Sequence, residues 1–531
     1  MSFLSYRTPP KVADKSALEL ERKTISESSF YIGNNWLRKN RFGVWEARLS
    51  GKPFEIGAKY GILAKELIQQ QEIVFVNDFS KAVPNKLKQF FLKHLIGLFN
   101  RKLDKHIPIE YLLEIYGGSF ANSREFNSIA PAYLRVLNYH AAHDIGHALN
   151  DYQLVGCTSF SVKGSKTKDG QIISGRNFDF YSGDEFAKTK VISFFEPEQG
   201  HKFASLSWPG FSGVVSGMNV EGLTVTMNAA KSTLPRSSKT PISLLGRELL
   251  QYASNIEEAI ALANKRDVFV SETIMVNSAK DNATVLIEKA PKQSDSFLPQ
   301  QDVVVCANHF QSDRFASSDL NVENIEQSDS IYRFNKMKQL LNESEEVSSL
   351  RAADILRDRN GTNGEELGNG NPRAINQLIA HHSIIFQPGK LKMWISTEPW
   401  QIGEYLCYDL NKVFNLQEVP TNDIDEASYL IPADPFIKTK EYHDFITFRN
   451  LKFKINDFIY GFSKSAIDEH EEITFVNSNP NYYEAYMILG MYFKKLKQYE
   501  KAKVYFHQSL DRIVSSKEEE EKIKALIKKC K

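Results

Sequence analysis

The sequence changes character at one point, between Gly156 and Cys157. Upstream, from about Ser26 to Gln153, apolar residues recur at three- and four-residue intervals, which is the spacing of helices with one buried face. Downstream, short alternating or β-branched runs are separated by Gly, Asp, Asn and Pro, as in antiparallel strands and hairpins. The pattern predicts a helical leading segment, with few strands, followed by a sheet-rich segment that begins at Cys157.

The sheet-rich segment contains helical stretches as well. Residues 243–266 return to the helical period, and strand-like runs then continue as far as Thr397. Strands, helices and strands again, in that order, favour two sheets packed face to face with helices on the outside, an α+β fold. The Gly- and Asn-rich residues 361–373 are expected to form an exposed loop.

The length of the chain predicts more than one folding unit. Its 531 residues exceed the roughly 250–300 residues at which a single core usually stops growing. The last part is helical and charged, and Gly490 and Ala502 stand among aromatic residues at the spacing of a tetratricopeptide helix pair. One such unit must pack on the rest of the chain or on a protein partner. We expect three regions, at residues 1–156, 157–435 and 440–531.

Charge and hydropathy exclude several classes of function. The 66 basic and 65 acidic residues leave a net charge of +1, so no overall field attracts nucleic acid. No window reaches the ~18 apolar residues of a spanning helix, and the opening residues lack an apolar stretch of signal-peptide type. These features predict a cytoplasmic protein without a transmembrane segment. Four cysteines without C-x-x-C spacing argue against a disulfide framework and a thiolate zinc site.

Cys157 stands out because it is placed at the start of the first strand. A lone cysteine is usually a small hydrophobic residue of the core. Here, however, a hairpin that turns at residues 166–171 would bring Arg176 and Asp179 back beside Cys157. An arginine favours the thiolate and a carboxylate can hold an ammonium group, although a surface ion pair on a strand is the alternative.

Several segments together resemble one protein family. They are VGCTSF, GRNFDF, GMNVEGLTVTMNAA and CANHF, preceded by GKPFEIGAKYG and YLLEIYGGS. They are similar to the autoproteolytic cysteine N-terminal-nucleophile (Ntn) hydrolases of the isopenicillin N acyltransferase-like family, which is related to choloylglycine hydrolases and penicillin V acylases. The resemblance covers Gly51 to Thr397. It implies a four-layer αββα Ntn-hydrolase sandwich, to which a helical N-terminal segment and a helical, repeat-like C-terminal region are added.

The resemblance implies a role for Cys157 that depends on its neighbour Gly156. The Cys157 thiol would attack the Gly156 carbonyl, cut the chain there and leave the leading segment bound as a subunit. The freed α-amino group, with an ordinary pKa near 8, would then act as the general base for its own thiol. Glycine at position 156 suits this step because the backbone can be strained and closely approached.

The same resemblance implies roles for four further residues. Arg176 and Asp179 match the pair that positions and charges the nucleophile, Asn228 matches an oxyanion-hole asparagine, and Asn308 matches a second asparagine near the nucleophile. Arg333 is a candidate for a late arginine of the family, but a surface charge on a helix explains it equally well. We therefore leave Arg333 out of the predicted site.

Two other functions remain open at this stage. One face of a helix carries His140, His143, Asp144 and His147, which could hold a metal. A metal-dependent hydrolase built on the three histidines is therefore one alternative. Alternatively, a degenerate enzyme could serve as an interaction scaffold through its C-terminal repeat. His381 and His382 lie on alternating strand faces and are not expected to share a ligand. Phosphate-binding glycine motifs are not present, so no nucleotide cofactor is expected.

The expected reaction is acyl transfer through a thioester on Cys157. The substrate would be a small amide, ester or thioester, and the acceptor would be water, an amine or an alcohol. Acyl-CoA is a candidate donor, as a substrate rather than a cofactor. Sequence does not choose between hydrolysis and transfer, because the two share the first half-reaction and differ in how well the site excludes water.

Overall fold

The computed structural model describes residues 7–83, 85–149, 156–180, 183–231, 233, 235 and 237–531, with the backbone alone at 82, 142, 143 and 145–149. Within these ranges the strands are β1 Lys23–Ser26, β2 Ser29–Ile32, β3 Asn35–Lys39, β4 Trp45–Gly51, β5 Thr158–Gly164, β6 Gly170–Phe178, β7 Val191–Pro197, β8 Phe203–Ser207, β9 Ser216–Asn219, β10 Leu223–Ala229, β11 Glu272–Ser278, β12 Ala283–Ala290, β13 Gln293–Phe297, β14 Val303–Cys306, β15 His382–Gln387, β16 Lys392–Ser396 and β17 Tyr405–Asp409.

The strands form two sheets in this described part of the chain. The larger has the order β1-β2-β3-β4-β7-β8-β9-β10-β11-β12-β13, and the smaller has the order β14-β5-β6-β15-β16-β17. All neighbours are antiparallel except β4 and β7, which are parallel.

The helices surround these sheets. They are α1 Pro53–Leu63, α2 Lys65–Ala82, α3 Lys86–Phe99, α4 Ile109–Ser119, α5 Ala132–Leu149, α6 Asp184–Lys188, α7 Ile242–Tyr252, α8 Ile256–Asn264, α9 Asp313–Ala316, α10 Asp319–Gln327, α11 Ser330–Glu343, α12 Ser349–Leu356, α13 Leu410–Phe414, α14 Lys440–Tyr460, α15 Glu469–Asn477, α16 Tyr483–Lys495, α17 Tyr499–Leu510 and α18 Lys517–Lys528. Over the residues described, each helix is too short or too polar to cross a membrane.

The two sheets pack face to face through alternating apolar residues. Phe194 on β7 and Leu206 on β8 meet Ile384 and Phe386 on β15 in one buried cluster. Helices α1, α2, α7 and α8 cover the outer face of the large sheet, and α11 and α12 cover the outer face of the small sheet. The central strands are buried on both faces, since every residue of β8, β10 and β11 is buried. The predicted α+β, four-layer αββα sandwich is confirmed.

The leading segment is not only helical, as the sequence suggested. Strands β1 to β4 lie within it, and β4 pairs with β7 so that Trp45 is opposite Val191. The prediction of few strands before residue 153 is therefore wrong for residues 23–51. Strands β1 and β3 are short and rich in charged and polar residues, so their period of two is weak. The first strands of the large sheet thus precede Gly156 in the chain.

The C-terminal helices pack on the sheet-rich segment. Leu378 and Ile402 share a buried cluster with the aromatic residues of α14 to α17. The predicted helix pair is present as α16 and α17, and a Cβ added at Gly490 would meet the Phe506 ring at 2.5 Å. Its description as a tetratricopeptide unit stays a prediction, as do the three domain boundaries.

The loop at residues 361–373 is not wholly exposed, contrary to its composition. Leu367 and Asn371 are buried, and a Cβ at Gly368 would meet the backbone nitrogen of Tyr482 at 2.4 Å. The glycines admit close approach by the C-terminal helices instead of marking a free loop. Composition cannot distinguish these two uses of glycine.

Candidate active site

Cys157 lies immediately before β5, the second strand of the small sheet. Strand β5 pairs with β6 so that Ser159 is opposite Arg176, which confirms the predicted hairpin. The thiol is 1% exposed and packs with Phe178, Phe211 and Val215. An Nη2–H of Arg176 donates to Cys157 Sγ over 3.5 Å.

The guanidinium of Arg176 is fixed by several acceptors between the sheets. Its Nη1 donates to Val215 O at 2.8 Å and Ser216 Oγ at 2.7 Å, and its Nη2 also donates to Met227 O. The guanidinium carbon stands 4.2 Å from the centre of the Phe178 ring. These contacts hold the guanidinium next to the thiol.

Burial decides the charge of the thiol in the uncut chain. Desolvation raises the pKa of Cys157 to about 11, although Arg176 opposes the shift; Asp179 and Glu272 add to it. Arg176 favours the thiolate, as its position suggested, but the desolvation penalty exceeds this attraction. A base must take the thiol proton before attack.

Asp179 follows β6 and is fully buried. Its backbone carbonyl accepts a hydrogen bond from Gly156 N at 3.1 Å. Neither carboxyl oxygen has a hydrogen-bond partner among the described atoms. Burial raises the pKa of Asp179 to about 8, against the attraction of Arg333 and Arg176. A carboxyl group with a pKa near neutrality and unused oxygens can accept or return a proton.

Arg333 belongs to the site, although we left it out of the sequence prediction. Its Nη1 donates to the carbonyl oxygen of Cys157 at 2.9 Å and to Thr158 Oγ1 at 2.8 Å. Its Nη2 donates to Asn308 Oδ1 and Asp329 Oδ1, both at 2.8 Å. The side chain is 1% exposed, so the surface-charge interpretation is wrong. The sequence feature that could have indicated a buried Arg333 was Asp329, an acidic residue one helical turn earlier.

The two predicted asparagines lie near the ends of strands, Asn228 in β10 and Asn308 just after β14. Asn228 Oδ1 accepts a hydrogen bond from Ser159 Oγ at 2.7 Å, and its Nδ2 donates to Cys306 O at 3.3 Å. Asn308 Nδ2 donates to Ala229 O at 3.0 Å. Among the hydrogen bonds of the described residues, neither amide donates to Cys157. Asn308 is linked to Cys157 through Arg333, and the oxyanion roles of both asparagines stay predictions.

Gln377 is a residue that sequence reasoning missed, since no motif or periodicity marks it. Its Nε2 donates to the carbonyl oxygen of Gly156 at 3.2 Å. The side chain is buried, and a Cβ added at Gly156 would meet Gln377 Nε2 at 2.4 Å. Glycine at position 156 therefore admits the close approach of this amide.

His381 and His382 are in direct contact, contrary to the expectation from strand alternation. Their Nδ1 atoms are 2.8 Å apart, and His382 Nε2 is 2.9 Å from Ser216 Oγ, which also accepts from Arg176. Because β15 begins at His382, His381 lies before the strand and does not follow its alternation. Burial lowers the pKa of His381 to about 3 and that of His382 well below its usual value. Two neutral rings thus continue the network behind Arg176.

His140 does not offer a free nitrogen to a metal. Its Nδ1 is 2.9 Å from Val136 O, and its Nε2 accepts from Ser212 N at 3.0 Å. Burial lowers the pKa of His140 to about 4, so the ring is neutral and both nitrogens are engaged. The side chains of His143 and His147 lie outside the described residues. Where side chains are described, no three His, Cys, Asp or Glu residues form a metal-ligand group.

A cleft of about 100 Å³ adjoins the Cys157 cluster. Phe180, Trp208 and Phe211 belong to both the cleft wall and the surroundings of Cys157. The opposite wall comes from helices of the leading segment, through residues such as Phe75 and Val136. The wall is mainly aromatic and aliphatic, and it therefore suits an apolar group.

Residues 165–398 match the family model described as "Acyl-coenzyme A:6-aminopenicillanic acid acyl-transferase". The family resemblance read from the sequence is confirmed. The matched range contains Arg176, Asp179, Asn228, Asn308 and Arg333, and it begins after the cysteine. The similarity to this family lies in the central range of the chain.

Two curated proteins are similar to the chain. One, from Archaeoglobus fulgidus, is 25% identical over 304 residues, 50% of this chain and 50% of its own length, and bears the name "Uncharacterized protein". The other, an N-acylethanolamine-hydrolyzing acid amidase of Caenorhabditis elegans, is 25% identical over 224 residues, 40% of this chain and 59% of its own. The chain therefore spans about half the length of the curated relatives it matches.

The solved structures that resemble the chain include the following two. The nematode N-acylethanolamine-hydrolyzing acid amidase ortholog aligns at 19% identity with a TM-score of 0.31, covering 44% of this chain and 93% of that one. A mutant of the conjugated bile acid hydrolase of Clostridium perfringens aligns at 13% identity with a TM-score of 0.34, covering 51% of this chain and 96% of that one.

Proposed function

We propose that this protein is a self-cleaving Ntn-type cysteine amidohydrolase or acyltransferase that acts through a thioester on Cys157. The observation that carries the proposal is the arrangement around one residue. Arg176 donates to the Cys157 thiol, and Arg333 donates to the Cys157 carbonyl. A cysteine that only fills the core would need neither cation, whereas a nucleophile needs its thiol charged and its backbone held in place.

Self-cleavage is proposed to begin at the peptide bond between Gly156 and Cys157. The ionised form of Asp179 takes the thiol proton, and Sγ attacks the carbonyl carbon of Gly156, whose π electrons move to oxygen. When the carbonyl reforms, the C–N bond breaks, and the nitrogen leaves as an amine after receiving the proton from Asp179. Water then cleaves the thioester, which releases the Gly156 carboxylate and restores the thiol.

The new amino terminus of Cys157 is proposed to serve the second reaction, on the substrate. Its ordinary pKa, near 8, suits a general base that accepts the thiol proton at neutral pH. The carboxyl group of Asp179 has unused oxygens that can hold the resulting ammonium. Asn228 and Asn308 are proposed as amide donors to the oxyanion of the substrate, after local rearrangement of both side chains.

The cleft supports a substrate with an apolar acyl group. Aromatic side chains dominate the wall next to Cys157, and such walls exclude water from a thioester. Amide hydrolysis is the reaction named for the nematode relative, and acyl transfer is the reaction named for the family. We propose a small-molecule amide, ester or thioester as substrate, with acyl-CoA as a candidate donor. A cytoplasmic location and a protein partner for the C-terminal helices remain predictions.

The decisive experiment is intact-mass spectrometry of the purified wild-type protein and of Cys157→Ala. We expect two wild-type fragments separated between Gly156 and Cys157, and a whole chain for the variant. An uncut wild-type chain would contradict the proposal and would favour the interaction scaffold. Activity that is lost with a chelator but kept in Cys157→Ala would favour the metal-dependent alternative.

A further inference from the structure

Gln377 is the side chain that contacts the carbonyl oxygen of the proposed cleavage site. Its Nε2 lies 3.2 Å from Gly156 O. The donor is an amide, so it presents a hydrogen at every pH at which the protein is folded. When a nucleophile attacks this carbonyl, negative charge develops on the oxygen that Gln377 already contacts. A fixed donor at that position is the arrangement that stabilises such an oxyanion.

The backbone around Gln377 is held from the sheet side. Asn177 on β6 donates through Nδ2 to Ile375 O at 2.9 Å, and Leu378 N donates to Asn376 Oδ1 at 2.9 Å. Leu378 is buried with a φ of 53°, a conformation that a leucine adopts only when its surroundings impose it. The loop is therefore locked next to Gly156.

The same loop is held from the other side by the segments that connect the C-terminal helices. Asn479 Oδ1 accepts from Asn369 N at 3.0 Å, and its Nδ2 donates to Asn369 O at 2.8 Å. Arg373 Nε donates to Ser515 O at 2.9 Å. The side chain of Leu378 packs in the apolar cluster of the C-terminal region. One loop thus connects the C-terminal helices with the Gly156 carbonyl.

We propose that Gln377 is the oxyanion donor for self-cleavage, and that the C-terminal helical region positions the loop, residues 367–378, that carries it. This inference rests on the proposed self-cleavage after Gly156. In the attack step, Cys157 Sγ bonds to the Gly156 carbon and the carbonyl π pair moves to the oxygen held by Gln377. The pair returns as the C–N bond breaks, and the amine leaves with the proton. The hydrogen bond of Gln377 is not consumed.

The first test follows the cleavage rate during cell-free synthesis of the full chain. Gln377→Met keeps the size of the side chain but has no donor, and Gln377→Glu presents a carboxylate. Loss of one oxyanion donor typically costs roughly 100- to 1,000-fold in rate, so we expect a slowdown of that order in both variants. Gln417→Ala, an exposed glutamine bonded only to Asn415 O among the described contacts, is the matched control and should cut normally.

Two further measurements separate chemistry from folding. The thermal unfolding of the double variant Gln377→Met with Cys157→Ala should remain close to that of Cys157→Ala, since neither chain can be cut. Hydroxylamine, which cleaves thioesters, should not restore the rate, because the slowed step precedes the thioester. Full rescue by hydroxylamine would assign the defect to thioester hydrolysis and overturn the proposed role.

The second test addresses the C-terminal helices. Asn479→Ala removes both side-chain bonds to Asn369 and should slow cleavage, whereas Lys503→Ala, which loses an exposed ion pair with Glu500, should not. A wild-type rate for Asn479→Ala would refute the positioning role of these helices. If the wild-type chain is cut and both Gln377 variants are cut equally fast, this inference fails alone; if the wild-type chain is never cut, the proposed function fails.

Discussion

A buried ion pair joins the leading segment to the rest of the protein and gives a quantitative prediction. Arg247 on α7 contacts Glu114 on α4 through two nitrogen–oxygen distances of 3.2 and 3.0 Å. Their side chains are 1% and 4% exposed. Removing one partner of such a pair typically costs about 3–5 kcal/mol, because the other charge stays buried without compensation. We expect a loss of this size for Arg247→Met.

The environment of Arg247 supports the upper part of that range. Its Nη1 also donates to Ser212 O at 3.0 Å, next to the cleft, and its guanidinium stands 4.6 Å from the centres of the Phe195 and Phe203 rings. The double variant Glu114→Leu with Arg247→Met should lose much less stability than the single variants together, since apolar replacement of a whole buried pair is often neutral.

The assay is urea unfolding in a Cys157→Ala background, which keeps the chain in one piece under the proposed mechanism. Lys503→Met, at an exposed pair, provides the control and should cost under about 1 kcal/mol. A cost below about 1 kcal/mol for Arg247→Met would refute the reasoning, because it would mean that water reaches the Glu114–Arg247 pair in solution.

Three further predictions concern the site and its cleft. In the folded protein the pKa of Asp179 is about 8, against an ordinary value of 3.8. As pH rises, Asp179 therefore loses its proton in the unfolded chain before it does so in the folded one, and the free energy of unfolding falls between about pH 4 and pH 8. Asp179→Asn in the Cys157→Ala background should make this fall smaller, while Glu46 and Asp144, whose pKa values burial also raises, maintain the rest. Identical pH profiles for the two proteins would contradict the prediction. Ser216→Ala removes the hydrogen bond from Arg176 and the contact with His382. Loss of a hydrogen bond to a charged group costs about 1.5–3 kcal/mol, so cleavage should slow roughly 10- to 100-fold. An unchanged rate would show that Arg176 keeps its position without the Ser216 hydroxyl. Val136→Phe narrows the cleft and should raise KM for long acyl esters more than for acetyl esters while cleavage proceeds; equal effects on both would remove the cleft as the acyl site.

The local part of the site could be predicted from the sequence. Cys157 and Arg176 are 19 residues apart, and one hairpin with a recognisable turn brings them together. The two-sheet architecture followed from strand-like runs separated by turn residues, because strand period and turn chemistry are local properties. The family resemblance, carried by short motifs in a fixed order, added the roles that local reasoning could not supply.

Only the tertiary structure decided the remaining contacts. Arg333 reaches Cys157 across 176 residues of chain and Gln377 reaches Gly156 across 221, and such long-range contacts leave no periodicity in the sequence. The loop at residues 361–373 has the composition of an exposed segment, yet the C-terminal helices bury part of it. The protonation state of the Cys157 thiol also depends on burial. The sequence shows the neighbouring arginine, but only the fold shows the desolvation penalty that outweighs it and raises the thiol pKa.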